Sequence, residues 1–274
     1  MTEREKPIGV FDSGVGGLTV VREIMRNIPK ERIVYFGDTA RVPYGGKSKE
    51  TILRYSRQIV RFLQSKEVKA IVIACNTASA FALEELSQEI DIPIIGVVKP
   101  GAKVACASTK NNRVGVIGTQ GTISSGLYTE FIREINPQIQ VIGKACPLFC
   151  PLVEENWRKD DPITVAVTER YLKELKEQDI DTLILGCTHY PLIRSTIAQV
   201  MGEGVTLVNP AYETACQLRT LLQDEHLANN RALEEGEEPY RFFVSDSAES
   251  FSAFADSILP CDIENAQKIP IEEY

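Results

Sequence analysis

The stretch Ala70-Ile71-Val72-Ile73-Ala74-Cys75-Asn76-Thr77-Ala78-Ser79 decides how this chain folds. An apolar, partly β-branched run of strand length ends at a cysteine, and small polar residues that can open a helix follow at once. The same grammar returns in Thr182-Leu183-Ile184-Leu185-Gly186-Cys187-Thr188-His189-Tyr190-Pro191. A thiol repeated at a repeated strand-to-helix turn places two like groups around one substrate. That arrangement suits a reaction that takes a proton from one face of a carbon and returns one to the other.

Outward from these turns, strand and helix alternate. Strands are expected at Ile8–Phe11, Arg32–Phe36, Ala70–Ala74, Ile94–Val98, Arg113–Ile117, Ile139–Gly143, Thr182–Leu185 and Val205–Asn209. Helices are expected at Leu18–Asn27, Ser48–Lys66, Ala80–Glu89, Thr164–Glu177 and Ala211–Asp224. Such alternation argues for α/β architecture with mainly parallel sheets. The halves echo each other: Ile8 to Gly14 resembles Val114 to Thr119 in type, 106 residues on, and Cys75 precedes Cys187 by 112. We therefore expect two pseudo-symmetric α/β domains, 1–98 plus 211–274 and 99–210, with linkers at Val98–Gly101 and Val208–Ala211. Open sheets bind ligands at the carboxyl ends of their strands, so the site is expected in the cleft between the domains.

Composition narrows the function. The chain has 274 residues, 43% hydrophobic and 25% charged, ordinary for a globular protein able to bury a core without staples. Its net charge of −8 argues against nucleic acid or an anionic membrane surface as partner. No apolar run is long enough to span a bilayer, and Met1 to Pro7 holds no hydrophobic signal region. A cytoplasmic protein with reduced thiols is expected, and its seven cysteines do not read as a disulfide framework.

A helix N-terminus favours a thiolate, so the thiols of Cys75 and Cys187 are expected to be shifted toward neutrality. Cys106, Cys146, Cys150, Cys216 and Cys261 lack that setting and read as small buried hydrophobes. Cys146, Cys150, Cys187 and His189 do not follow a zinc-knuckle spacing, so no metal site is expected. Asp12-Ser13-Gly14-Val15-Gly16-Gly17 fits neither nucleotide-loop pattern. Its aspartate reads either as a helix cap or as a partner for an ammonium group or a thiol. His189 is an acid/base candidate beside Cys187, and Glu154 a weaker one, since Glu154-Glu155 also reads as a solvated helix start. Pro43-Tyr44-Gly45-Gly46 reads as a turn whose tyrosine tip and amides can close over a small anion.

Four motifs together resemble glutamate racemase. They are Asp12-Ser13-Gly14-Val15-Gly16-Gly17, Gly37 to Gly45, Ala74 to Ala78 and Gly186 to Leu192. The resemblance runs from about Ile8 to about Ser247. It implies a cofactor-independent isomerase that interconverts L- and D-glutamate for peptidoglycan synthesis. Cys75 would act on D-glutamate with help from Asp12, and Cys187 on L-glutamate with help from His189 and Glu154. Without pyridoxal phosphate as electron sink, donors must hold the developing enediolate, a task suited to Ser13, Asn76, Thr77, Thr188 and the amides around Tyr44 and Gly45. The only expected partner is the small-molecule substrate, with a homodimer left open. The alternatives are a racemase of a related amino acid such as aspartate, and a non-catalytic amino-acid-binding protein.

Overall fold

The strands form two sheets, one per half. The computed structural model describes residues 2–157, 161–233, 236–261, 263 and 266–274. In chain order the elements are β1 (Ile8–Asp12), α1 (Leu18–Asn27), β2 (Ile33–Gly37), α2 (Lys49–Ser65), β3 (Ala70–Ile73), α3 (Asn76–Glu89), β4 (Ile94–Gly96) and α4 (Val98–Ser108). Then come β5 (Arg113–Gly118), α5 (Gln120–Ser124), α6 (Leu127–Ile135), β6 (Gln140–Ala145), α7 (Phe149–Glu154), α8 (Pro162–Glu177), β7 (Thr182–Gly186), α9 (Arg194–Met201) and β8 (Thr206–Val208). The chain closes with α10 (Pro210–Asp224), β9 (Tyr240–Val244), α11 (Ala248–Ala255) and β10 (Ala266–Lys268).

The first sheet has the order β10-β9-β2-β1-β3-β4 and the second β6-β5-β7-β8. Every described pairing is parallel. The run β2-β1-β3-β4 matches β6-β5-β7-β8 position for position, which gives the internal echo a topological basis. Parallel sheets covered on both faces need strands that are apolar throughout. In β1, Ile8 and Val10 face one core cluster with α1, α10 and α11, while Phe11 faces another with α2 and α3. Each buried side chain of this size contributes about 1.5–3 kcal/mol.

Both expected linkers are strand-to-helix junctions. Val98–Gly101 is the first turn of α4, because Pro100 falls where amides lack an intrahelical partner and costs no hydrogen bond. At Val208–Ala211, Asn209 caps α10 by accepting from the Ala211 amide at 3.1 Å, with Pro210 at the first helical position. α4 leaves the first sheet for the second and α10 returns; the two helices pack on each other. They approach closely because residue 101 is glycine: a Cβ there would stand 3.0 Å from Pro210 Cγ. β9 and β10, absent from the expected strands, extend the first sheet beside β2. Among the described residues, no helix is long and apolar enough to cross a membrane.

Candidate active site

The carboxyl ends of β1, β3, β5 and β7 meet around a cavity of about 260 Å³. It is lined by Ser13, Val42, Pro43, Tyr44, Gly45, Cys75, Asn76, Thr77, Thr119, Cys150, Pro151, Glu154, Cys187, Thr188 and His189. Each half contributes the turn after its first strand (Ser13, Thr119), the segment after its second (Tyr44 and Gly45, Cys150 and Pro151) and the turn after its third (Cys75, Cys187).

Cys75 is the N-cap of α3, its Sγ accepting from the Ala78 amide at 3.4 Å. The thiol lies 3.6 Å from Ser13 Oγ. Its acidity runs against the sequence-based expectation. Burial, then the nearby Asp12 carboxylate, push the thiol up to about 12, outweighing the Ala78 amide and Ser13 hydroxyl. The helix terminus does favour the thiolate, but loss of solvent costs more.

Asp12, the last residue of β1, is fully buried and lies behind the cavity wall rather than on it. Burial raises its pKa, opposed by the charge of His189 and by the Gly17, Gly14 and Ser13 amides. Its Oδ2 accepts from the Gly14 amide at 3.1 Å, while Oδ1 has no hydrogen-bond partner among the described residues. The residue thus ties the turn together and keeps one acceptor atom in reserve.

Cys187 follows β7 and sits in a chain of contacts. Its Sγ is 3.8 Å from His189 Nδ1, and His189 Nε2 is 2.8 Å from Glu154 Oε1. Burial works against a charge on His189, but the hydrogen bonds to Cys187 and Glu154 and both their charges override it and push the ring up to about 10. The hydrogen bond with Cys150, burial and the charge of Cys150 raise Cys187 well above the ordinary thiol value, and His189 pulls it down. Cys187 and His189 each figure in the other's shift, and Glu154 stabilises the imidazolium that a Cys187 thiolate requires. Glu154 ends α7 rather than starting a helix, with its side chain 40% exposed.

The polar lining is cross-braced between the halves. Tyr128 Oη donates to Asn76 Oδ1 at 2.7 Å, and Thr77 Oγ1 is 2.8 Å from Thr119 Oγ1. Thr19 Oγ1 donates to the Thr188 carbonyl at 2.9 Å, and the Gly121 amide to the Gly45 carbonyl at 2.8 Å. Tyr44 is not an exposed tip: it is 1% exposed and its hydroxyl donates to Asp38, so it offers the cavity its ring and backbone. The lining residues not anticipated from sequence are Val42, Thr119, Cys150 and Pro151. The repeat points to Thr119, which stands 106 residues after Ser13. Cys150 Sγ lies 3.6 Å from Cys187 Sγ, so Cys150 is not the inert hydrophobe expected. With His189 Nδ1, these two sulfurs form a group of ligand atoms within 4.8 Å of one another.

A small cavity lined by one buried thiol from each half has the layout that proton transfer at a carbon calls for. The profile of the Asp/Glu/Hydantoin racemase family matches residues 8–218. A glutamate racemase from Geobacter metallireducens is 48% identical over 267 residues, 97% of each chain. The chain belongs to the glutamate racemase family. Among solved structures, a glutamate racemase isoform of Bacillus anthracis superposes with a TM-score of 0.91 at 42% identity, covering 97% of this chain and 98% of that one. The Francisella tularensis glutamate racemase, solved in complex with D-glutamate, gives 0.90 at 39% identity, covering 99% and 100%. These relatives share the two parallel-sheet α/β units.

Proposed function

We propose that this chain interconverts L- and D-glutamate without a cofactor, by proton transfer between Cys75, the substrate α-carbon and Cys187. The observation that carries the reading is a pair of buried thiols lining one cavity at matching strand ends, Cys75 beside Ser13 and Cys187 beside His189. From L-glutamate, a Cys187 thiolate removes the α-proton and the Cys75 thiol delivers its own to the other face. From D-glutamate the roles exchange. After each turnover the thiols have traded protonation states and must be reset, so their titrations are linked. Asp12 serves the Cys75 side and His189 with Glu154 the Cys187 side.

The α-hydrogen of an amino acid is a very weak acid. The enediolate that replaces it carries charge on its carboxylate oxygens, and preorganised donors there are worth roughly 2.7–4 kcal/mol each. Ser13, Asn76, Thr77, Thr188 and the backbone around Gly45 supply them. We assign 1–98 plus 211–274 to one domain and 99–210 to the other, with the substrate in the cleft. A cytoplasmic supply of D-glutamate for peptidoglycan synthesis is the matching role, and the scheme is the same for a monomer and for a homodimer.

Circular dichroism of L-glutamate with purified protein and no additive tests the activity, with L-aspartate alongside. Loss of signal with glutamate and not aspartate is expected, and an unchanged glutamate signal overturns the reading. In deuterated water, early label should enter mainly the product enantiomer. Equal labelling of recovered substrate and product would rule out facing thiols.

A further inference from the structure

Cys150 has no task in the proton transfer, yet it stands against one of the two working thiols. Its Sγ is 3.6 Å from Cys187 Sγ, which is 3.8 Å from His189 Nδ1. A tetrahedral zinc ion, with Zn–S about 2.3 Å and Zn–N about 2.0 Å, holds its ligands roughly 3.5–3.8 Å apart. Two edges of that figure are present. All three ligand atoms lie within 4.8 Å, so the third edge closes with a shift of roughly 1 Å, given those bond lengths. The ring is also oriented for it. Glu154 Oε1 holds His189 Nε2 at 2.8 Å, which leaves Nδ1 to the thiols, as in a carboxylate–histidine–metal arrangement. All three residues line the cavity, which leaves a fourth coordination position on its side.

We propose that Cys150, Cys187 and His189 form a binding site for a thiophilic divalent cation of the Zn²⁺ type, and that its occupancy inhibits racemisation by capping Cys187. Binding replaces the two thiol protons with two metal–sulfur bonds and displaces the proton that a charged His189 ring carries on Nδ1, so three protons leave from the charged-ring form and two from the neutral one, with no electron transfer. The inhibitory consequence rests on the two-thiol reading; the binding does not. The cation is an inhibitor of this site, not its cofactor.

The test uses metal-free protein in reducing buffer, which keeps the same two thiols from joining as a disulfide. Zn²⁺ is titrated against L-glutamate racemisation, and Co²⁺ against the near-ultraviolet thiolate-to-cobalt charge-transfer band. Zn²⁺ should inhibit the wild type at about one equivalent and a chelator should restore it. The metal-free rate of Cys150→Ala serves as that variant's own baseline, because losing the Cys150 contact also acts on the Cys187 thiol. The variant's half-inhibiting Zn²⁺ concentration should rise by more than the roughly 10–100-fold that loss of a partner outside the ligand set costs. The cobalt band should weaken in Cys150→Ala and in Cys187→Ser. Cys106, Cys216 and Cys261 remain in both variants and control for other thiols. Unchanged zinc sensitivity in Cys150→Ala, or a cobalt band indifferent to both substitutions, overturns the proposal. The band needs no activity, so a failed racemase assay leaves the metal test standing. If Cys150→Ala does not fold, Cys150→Ser replaces the soft ligand with minimal change of shape and the same criteria apply.

Discussion

Gly16→Ala puts the junction between the halves to the test with a single methyl group. A Cβ at residue 16 would stand 2.3 Å from Thr188 Oγ1 and 2.5 Å from His189 Nδ1. Carbon contacts are comfortable at about 3.5–4.0 Å, so that turn must retreat by roughly 1 Å. It has little freedom to do so. The Thr188 carbonyl is held by Thr19 Oγ1 and the His189 ring by Glu154. Overpacking of this kind costs about 1–3 kcal/mol of stability. For a chain of this size each kcal/mol lowers Tm by about 2–4 °C. The larger effect should be on rate. A misplacement of about 1 Å at a reacting group can cost about 100-fold, and His189 orients the proton on Cys187.

Gly14→Ala is the matched control. It lies in the same loop, and its Cβ would meet only Val42, at 3.7 Å, an ordinary contact. Racemisation by circular dichroism and thermal unfolding should be measured on both variants. We expect Gly16→Ala to lose about two orders of magnitude in kcat with a modest fall in Tm, and Gly14→Ala to stay near wild type. If Gly16→Ala racemises within a few-fold of wild type, or Gly14→Ala falls as far, the close approach of this loop to the Cys187 turn does not govern the site.

Cys75→Ser and Cys187→Ser should each lower kcat by about 100-fold or more with unfolding curves intact, since a serine hydroxyl is too weakly acidic to replace the thiol; near-normal kcat in either variant would refute the two-thiol scheme. Asp12→Asn should impair the step at Cys75 and His189→Asn the step at Cys187. Because the ratio of kcat/KM in the two directions is fixed by the equilibrium, the asymmetry should appear in kcat, KM or isotope effects, and symmetrical effects would count against separate partner sets. Stability should fall as pH rises above 9: folded Cys75 keeps its proton to about 12 while the unfolded thiol loses it near 9.0, so the unfolded state binds fewer protons in that window. His189, raised from 6.5 to about 10, adds stability that is complete below 6.5 and lost as pH passes 10. Urea unfolding between about pH 8 and pH 11 should show a shallower decline in Cys75→Ala than in wild type, and parallel curves would show that Cys75 does not hold its proton.

What could be read from the sequence was whatever a local pattern encodes. β1, β2, β3 and β7 are buried end to end and read as runs of strand length because both faces of those parallel strands are covered, and the cysteine turns stand out because they repeat. β10 is Ala266-Gln267-Lys268, an edge strand with too little buried surface to leave a pattern. α4 hides behind Pro100 and Gly101, which look like a break but fit a first turn and a close helix crossing. Thr119 was accessible through the repeat, because it occupies the place of Ser13. Cys150 was not, because its meaning comes from α7 folding over a turn some 37 residues away. Tyr44 was legible as part of a turn, but its burial depends on Asp38 accepting its hydroxyl.

The expected acidity of the thiols failed for an instructive reason. A helix terminus adds a favourable but short-ranged contribution, typically below about 2 kcal/mol, to a negative charge. Burial acts on the whole charge and can shift a group by about 3–5 pKa units. At Cys75 the two compete in the open: Ala78 and Ser13 lower the pKa, burial and Asp12 raise it, and the second pair wins. The protein therefore does not store a Cys75 thiolate. Asp12 has the same character, raised by burial and left with Oδ1 unpartnered among the described residues. At Asp12 burial outweighs the charge of His189, and at Cys75 it meets only an amide and a hydroxyl; an amino-acid substrate brings an ammonium group. In the proposed reaction that cation would favour the ionised forms of Asp12 and Cys75 together, so the base appears when its substrate does. On the other side Cys187 has its own cation within reach in His189, backed by Glu154. The two halves repeat the thiol and the turn, but they differ in where the compensating charge comes from.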